Sequence, residues 1–206
     1  MTIRRGEAWG EPGALPVGGV VVDSDAAAAA ALTAAWRRNE PFPALGLLRG
    51  DLARTLGALG DRERLSDTSR ATTAPIDIGV VRFDDRDELF VAHAVLRRSW
   101  WQGPILVIAN AQFLGGWDVA PRAHPGDGQF DIVACGSAMT LTSRLQARRR
   151  LPSGTHLPHP DIAVRRAATE VVTMPRPADL WLDGVRVARG RSFEFELLPD
   201  AVTVVV

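Results

Sequence analysis

The chain has 206 residues, enough for one large domain or two small ones, each able to bury a core. Its 24 basic and 24 acidic residues cancel, so no global charge draws it to nucleic acid, and no nucleic-acid partner is expected. Every basic residue is an arginine and tyrosine is absent, which excludes Walker-type phosphate binding, Schiff-base chemistry, lysine bases and a tyrosine acid or nucleophile. The single thiol, Cys135, can form neither an internal disulfide nor a cysteine-based zinc site, and fits a reducing cytoplasm. No apolar stretch follows Arg4–Arg5, so no signal peptide is expected. No apolar run is long enough to span a membrane as a helix.

The first part of the chain reads as alternating strand and helix. Val17–Val22 is an apolar run suited to a buried strand. Asp23, Ser24 and Asp25 offer capping oxygens to the alanine-rich helix that follows, which ends on arginines where the dipole favours them. Pro43–Leu48 reads as a second strand and Gly50–Gly57 as a short helix, while Arg62–Ala74 is polar and aperiodic, hence a loop. This pattern predicts a small parallel α/β unit over residues 1–74. Residues 75–206 differ. PIDIGVVRF, ELFVAHAVL, PILVIAN, QFDIVAC, ATEVVTM, ADLWLDG, SFEFELL and AVTVVV all carry β-branched or alternating apolar patterns. Turns are expected at Asp127–Gly128, Asp183–Gly184 and Arg189–Gly190, and one basic-ended helix at Ala138–Arg150. The expected fold class is α/β plus all-β: a small α/β domain followed by a β-sandwich. The last strands either stay in the sandwich or return to pack on the first domain.

A set of pieces then occurs in a fixed order: IANAQFLGGWDVAPRAHPGDGQFDIV, SGTHLPHPDI, LWLDGVRV and a final β run. In this order and spacing, Asn110, Gly115–Gly116, Ala120–Pro121, Asp127–Gly128 with Asp131, His156, His159 and Asp183–Gly184 resemble the second domain of bacterial diacylglycerol kinase-like lipid kinases. The resemblance implies the NAD kinase/diacylglycerol kinase-like sandwich. It also implies ATP-dependent phosphoryl transfer to a lipid hydroxyl, with ATP and magnesium as cofactors. Upstream, the family's glycine-rich GGDGT loop is met here by Asp23–Ser24–Asp25–Ala26–Ala27, in which only Asp25 survives. The GTGND.AR.LG element is met by LLRGDLARTLG (Leu47–Gly57).

On this resemblance Asp183 is the general base that takes the proton of the lipid hydroxyl. Asp25, Arg49, Gly50, Asp51 and Arg54 are the nucleotide-site residues, the arginines supplying bidentate phosphate contacts. Asp127 and Asp131 lie where relatives hold a structural magnesium, a hard cation that wants oxygen ligands. Plainer readings stand beside these: Asp183–Gly184 as a hairpin turn, and Asp127–Gly128 as a tight turn with Asp131 exposed on the next strand. Loop glycines let a backbone approach phosphates closely, and Ala26–Ala27 suit a helix instead. Two functions therefore stay open, a lipid kinase and a catalytically inactive descendant that binds or assembles. The kinase reading requires Asp25, Asp51 and Asp183 to converge on one cleft.

The remaining candidates carry less chemistry. His156 and His159 share a loop without a supporting cysteine, and His93 and His124 read as strand and loop residues. Arg97–Arg98–Ser99–Trp100–Trp101 and the basic end of the Ala138–Arg150 helix have compositions suited either to a membrane interface or to core and solvated faces. The expected partners are a lipid substrate or membrane surface, giving a cytoplasmic, membrane-peripheral setting, and a second copy paired through an exposed edge strand as a homodimer.

Overall fold

A computed structural model describes residues 9–206. After a short strand β1 (Glu11–Pro12), β2 (Val20–Val22) leads into helix α1 (Asp25–Arg37), and β3 (Leu45–Leu47) returns parallel to β2. Ser24 caps α1 by accepting from the Ala27 amide at 3.3 Å, with Asp25 in the first turn and Arg37 in the last, both favoured by the helix dipole. Ala28, Ala29, Leu32 and Ala35 face inward from it. The short helix α2 (Asp51–Thr55) follows, then a 3-10 turn at Arg64–Ser66 inside the stretch expected to be a loop.

The rest of the chain is a β structure. It comprises β4 (Thr72–Phe83), β5 (Arg86–Phe90), β6 (His93–Arg97), β7 (Ile105–Ala109), β8 (Phe113–Leu114), β9 (Trp117–Asp118) and β10 (Phe130–Cys135). Helix α3 (Leu141–Arg150) and strands β11 (Ile162–Ala167), β12 (Thr169–Leu182) and β13 (Val185–Val205) complete it. The strands β4, β13, β12, β6, β7, β10 and β11 are hydrogen-bonded neighbours in that order. Their pairings are all antiparallel. The end of β13 also runs parallel to β3, matching Val204 with Leu45 and Val205 with Gly46. The fold class is as expected, a reduced α/β unit joined to a sandwich.

Burial follows strand alternation. Along β4, Ile76, Ile78 and Val80 enter the core shared with α1, α2 and β3. Val81 and Phe83 enter the sandwich core with Phe90, Phe130, Phe193 and Phe195. In β7, Leu106 and Ile108 face the sandwich, whereas Ile105, Val107 and Ala109 face a third cluster. Strands covered on both faces show no polar alternation, which is why ILVIA reads as a continuous apolar run. Gly79 is obligatory here, since a Cβ would lie 2.1 Å from the Phe90 ring.

Several sequence expectations are corrected. ELFVAHAVL is two strands, β5 and β6, broken at Val91–Ala92. ATEVVTM and ADLWLDG merge into β12, and SFEFELL and AVTVVV into β13, with a register shift between Leu198 and Val202. Arg189–Gly190 is therefore no turn but mid-strand, paired with Asp179 and Ala178. The second helix is shorter than Gly50–Gly57, and α3 starts at Leu141 because Thr140 accepts from the Ser143 amide and caps it there. Strands β8, β9 and β11 were not anticipated; the first two are only two residues each, and β11 reads polar because most of it is exposed.

Candidate functional site

Three of the predicted aspartates come together where the α/β unit meets the sandwich. Asp25, at the start of α1, turns its carboxylate onto the first turn of α2. The Asp51 amide donates to Oδ2 at 2.6 Å and the Leu52 amide to Oδ1 at 3.1 Å. Gly50, just before α2, has φ 119°, and a Cβ there would lie 2.4 Å from Oδ1 of Asp25. Only glycine admits this approach.

Asp51 in turn accepts from the Gly115 amide through both oxygens, at 2.9 and 2.8 Å. Arg54 donates to the Gly115 carbonyl at 3.0 Å and lies 3.8 Å over the Phe113 ring. Together they lock the β8–β9 turn onto α2. Arg49 is exposed, two residues before α2.

Asp183 sits in the β12–β13 turn with φ 47°. Its carboxylate accepts from the amides of Val91, Ala92 and His93 at 2.8, 2.9 and 3.0 Å. These are the amides exposed by the break between β5 and β6. The position is thus both a turn and a carboxylate clamp. His93 closes the cluster: Nδ1 is 4.0 Å from Asp51 Oδ2, and Nε2 is 3.1 Å from the Ala111 carbonyl. Donation from Nε2 to that carbonyl leaves Nδ1 as an acceptor facing Asp51. Burial pushes the His93 pKa down to about 4, so it is neutral at pH 7.

Burial pushes Asp25 up to about 6, against the amides of Asp51 and Leu52, and the Asp51 charge adds to the rise. Burial likewise pushes Asp183 up to about 7, opposed by the three amides and reinforced by the charge of Asp25. Burial raises Asp51 as well, against the Gly115 amide and Arg54. The cluster therefore holds protons near neutrality that an exposed aspartate would release.

The predicted nucleotide residues do not form an open phosphate cradle. The α2 amides that would face an anion are taken by Asp25, and the space over Gly50 is filled by the same carboxylate. The residues present do not fit a nucleotide phosphate.

Asp127 and Asp131 lie elsewhere, at the start of β10. Asp127 pairs with Arg166, and Asp131 Oδ2 is 3.6 Å from the same guanidinium. Asp131 is buried rather than exposed on its strand, and burial pushes its pKa up to about 6. One guanidinium faces both carboxylates, and Oδ2 of Asp131 is buried without a hydrogen-bond partner. Among the described residues, no three His, Cys, Asp or Glu side chains gather to hold a metal ion.

Some residues were read for less than they do. Asp77 accepts from the amides of Gly128 and Asp200 at 2.8 and 2.9 Å, pinning the β13 irregularity to the turn before β10. Buried Asn110 donates to the carbonyls of Asp77 and Val91, both at 2.8 Å, and so steadies the strand break that Asp183 clamps. Its place in the ordered motif set was the available signal. His93 had none, being one histidine in an apolar strand.

The β8–β9 hairpin held by Asp51 and Arg54 also walls an apolar pocket of about 300 Å³ beneath α3. Trp100, Trp117, Ile105, Val107, Val133 and Met139 line it. Arg144 from α3 is buried but satisfied, donating to the carbonyls of Met139, Trp100, Gly103 and Gly136. His156 also lines the pocket and is 2% exposed, and the Val119 backbone beside it is too poorly placed to make a full hydrogen bond with either ring nitrogen. Burial pushes its pKa down, against the Val119 backbone.

The order of the motifs and this sandwich agree with a family model, the YegS C-terminal NAD kinase beta sandwich-like domain, which matches residues 80–206. The chain belongs to this family. No curated protein matches it in sequence. Among solved structures it resembles a diacylglycerol kinase from Bacillus anthracis str. Sterne, with TM-score 0.58 and 16% identity over 79% of this chain and 66% of that one. It also resembles a candidate diacylglycerol kinase from the same organism, with TM-score 0.66 and 15% identity over 91% of this chain and 77% of that one. The chain thus spans about two thirds to three quarters of these relatives' length, and the likeness at such identity is one of fold. No helix among the described residues is long and apolar enough to cross a membrane.

Proposed function

We propose that this chain is a lipid-binding member of the diacylglycerol kinase-like family whose nucleotide site is closed. The observation that carries the reading is the Asp25 carboxylate seated on the Asp51 and Leu52 amides. Phosphoryl transfer depends on positioning phosphates and neutralising their charge, and here a buried anion stands where a phosphate would have to be received. The lipid half of the reading rests on the pocket beneath α3. At about 300 Å³ it has roughly twice the volume of a ~150 Å³ cavity that holds a benzene, so it suits a chain of about a dozen carbons. Thermal unfolding with added ligand tests both halves, because a ligand of the native state raises its stability. Diacylglycerol in detergent micelles is expected to raise Tm, and millimolar ATP with magnesium to leave it unchanged. A rise with ATP overturns the closed-site reading.

One observation favours a second reading, phosphoryl transfer to a lipid hydroxyl with Asp183 as base. Burial lifts the Asp183 carboxyl to about 7, where a group can take a proton and return it at neutral pH. Labelled-phosphate transfer from ATP to diacylglycerol in mixed micelles tests it. The reading requires transfer that Asp183→Asn abolishes, and loses its base if that variant transfers as well as the parent.

A further inference from the structure

The face around the pocket mouth combines exposed leucines and tryptophan with arginines, on a chain of zero net charge. Helix α3 turns Arg144 and Ala147 inward. Its other flank carries Leu141 and Leu145, which are 57% and 42% exposed. Arg148 continues that stripe, since positions i, i+4 and i+7 share one side of a helix.

The Arg148 guanidinium lies 5.1 Å from the Trp101 ring and 5.8 Å from the Trp117 ring, so it bridges two tryptophans at the edge of the pocket. Trp101 is itself 37% exposed. Arg98 is exposed in the same loop as Trp101, and Arg149 is exposed four residues beyond Leu145, on the adjoining side of α3. Neither the segment 136–151 nor the segment 97–117 contains an acidic residue. Of the carboxylates flanking these segments, Asp118 accepts from Gln112 and Asp179 pairs with Arg186.

Exposed leucines scattered singly need no explanation. Two leucines and a tryptophan in one stripe, ringed by arginines and opening on an apolar pocket, make a coherent surface. Nucleic acid would use the arginines and leave the leucines in water. An anionic bilayer uses both, since aromatic and aliphatic groups settle at the acyl boundary while arginines meet the headgroups.

We propose that the face formed by α3 and the loop Arg98–Gln102 docks on an anionic lipid bilayer. Leu141, Leu145 and Trp101 enter the headgroup layer, Arg98 and Arg149 contact the anionic lipids, and the pocket mouth opens directly onto the acyl region. This deepens the lipid-binding reading and rests on it for what the pocket receives. The apolar contribution of two leucines and a tryptophan is small, so binding depends on the arginines as a second signal.

Co-sedimentation of the full chain with vesicles tests the docking. Binding is expected to phosphatidylcholine vesicles containing phosphatidylserine, to be weak on phosphatidylcholine alone, and to fall with salt. The variant Arg98→Glu/Arg149→Glu is expected to bind at least about 25-fold more weakly, at about fivefold per arginine lost. Leu141→Ser/Leu145→Ser is expected to weaken binding while keeping its salt dependence. Both variants should keep the parent Tm and the parent's stabilisation by micellar diacylglycerol. Equal binding to neutral vesicles, or parent-like binding by the arginine variant, overturns the proposal. If vesicles bind and micellar lipid does not stabilise, the docking face stands and the pocket reading fails.

Discussion

The carboxylate cluster around Asp183 and the pocket beneath α3 share the β8–β9 hairpin, yet they treat buried polar groups in opposite ways. In the cluster, Asp25, Asp51 and Asp183 each accept backbone amides, and every one of those bonds joins segments distant in sequence. In the pocket, His156 is as deeply buried and neither ring nitrogen makes a full hydrogen bond. A satisfied buried carboxylate rigidifies a junction, whereas an imidazole without a strong partner is a cost that a polar atom of a water or a ligand removes. The cluster therefore ties the junction together, while the pocket leaves a polar group weakly held.

The comparison breaks first at Gly50 and Asp183. Gly50→Ala is expected to cost about 3 kcal/mol, roughly 6–12 °C in Tm, from the clash with Asp25 and the positive φ. In an Asp25→Ala background the same change should cost only about 1 kcal/mol, the backbone part. An equal loss in both backgrounds, by thermal or urea unfolding, would show that Asp25 does not fill this site. Asp183→Ala leaves the Val91, Ala92 and His93 amides without an acceptor and is expected to cost about 2–4 kcal/mol. Asp183→Asn keeps one acceptor oxygen and should fall between.

The pH dependence sharpens the same contrast. Asp25 and Asp183 ionise near 6 and 7 when folded and near 3.8 when unfolded. The folded state holds the extra protons, so this contribution is fully present below about 4 and is lost as pH rises through about 7. His93 works the other way: its folded pKa of about 4 lies below the ordinary 6.5, so its contribution is full above 6.5 and lost as pH falls through 4. Asp25→Asn removes one proton-holding carboxyl and keeps an acceptor. Its Tm relative to the parent is expected to improve as pH rises from 5 to 8, and a difference independent of pH would contradict the raised Asp25 pKa. The smallest effect is expected in the pocket. His156→Leu should be neutral or stabilising by up to about 1 kcal/mol, or about 2–4 °C, because it removes unpaired polar atoms. A marked loss of Tm would mean His156 has a structural partner.

Much of this was legible in the residues. The capped alanine helix, the β-branched runs and the family motif order all use local rules of propensity, capping and turn chemistry, and they survive folding because the tertiary contacts agree with them. The convergence of Asp25, Asp51 and Asp183, required by the kinase reading, is present. Its meaning was not legible. A missing glycine loop shows in the sequence as Ala26–Ala27, but nothing local says that the surviving Asp25 will cap a helix 26 residues later. Nor does the single acid in the apolar strand FDIVAC announce that Asp131 will be buried against Arg166, because burial depends on what packs over a face.

By itself, then, the sequence determined the capped helices, the β-rich second part and the lineage, since these follow from short-range periodicity and from residues whose spacing is visible along the chain. Only the tertiary structure decided what the predicted nucleotide residues meet. That depends on a carboxylate and two amides meeting across the fold, on a glycine with no Cβ to keep them apart, and on burial that raises the pKa of the group between them. It also decided that the apolar pocket opens beside the arginines and leucines of α3, because the loop and the helix that form its mouth are neighbours in space and not in sequence.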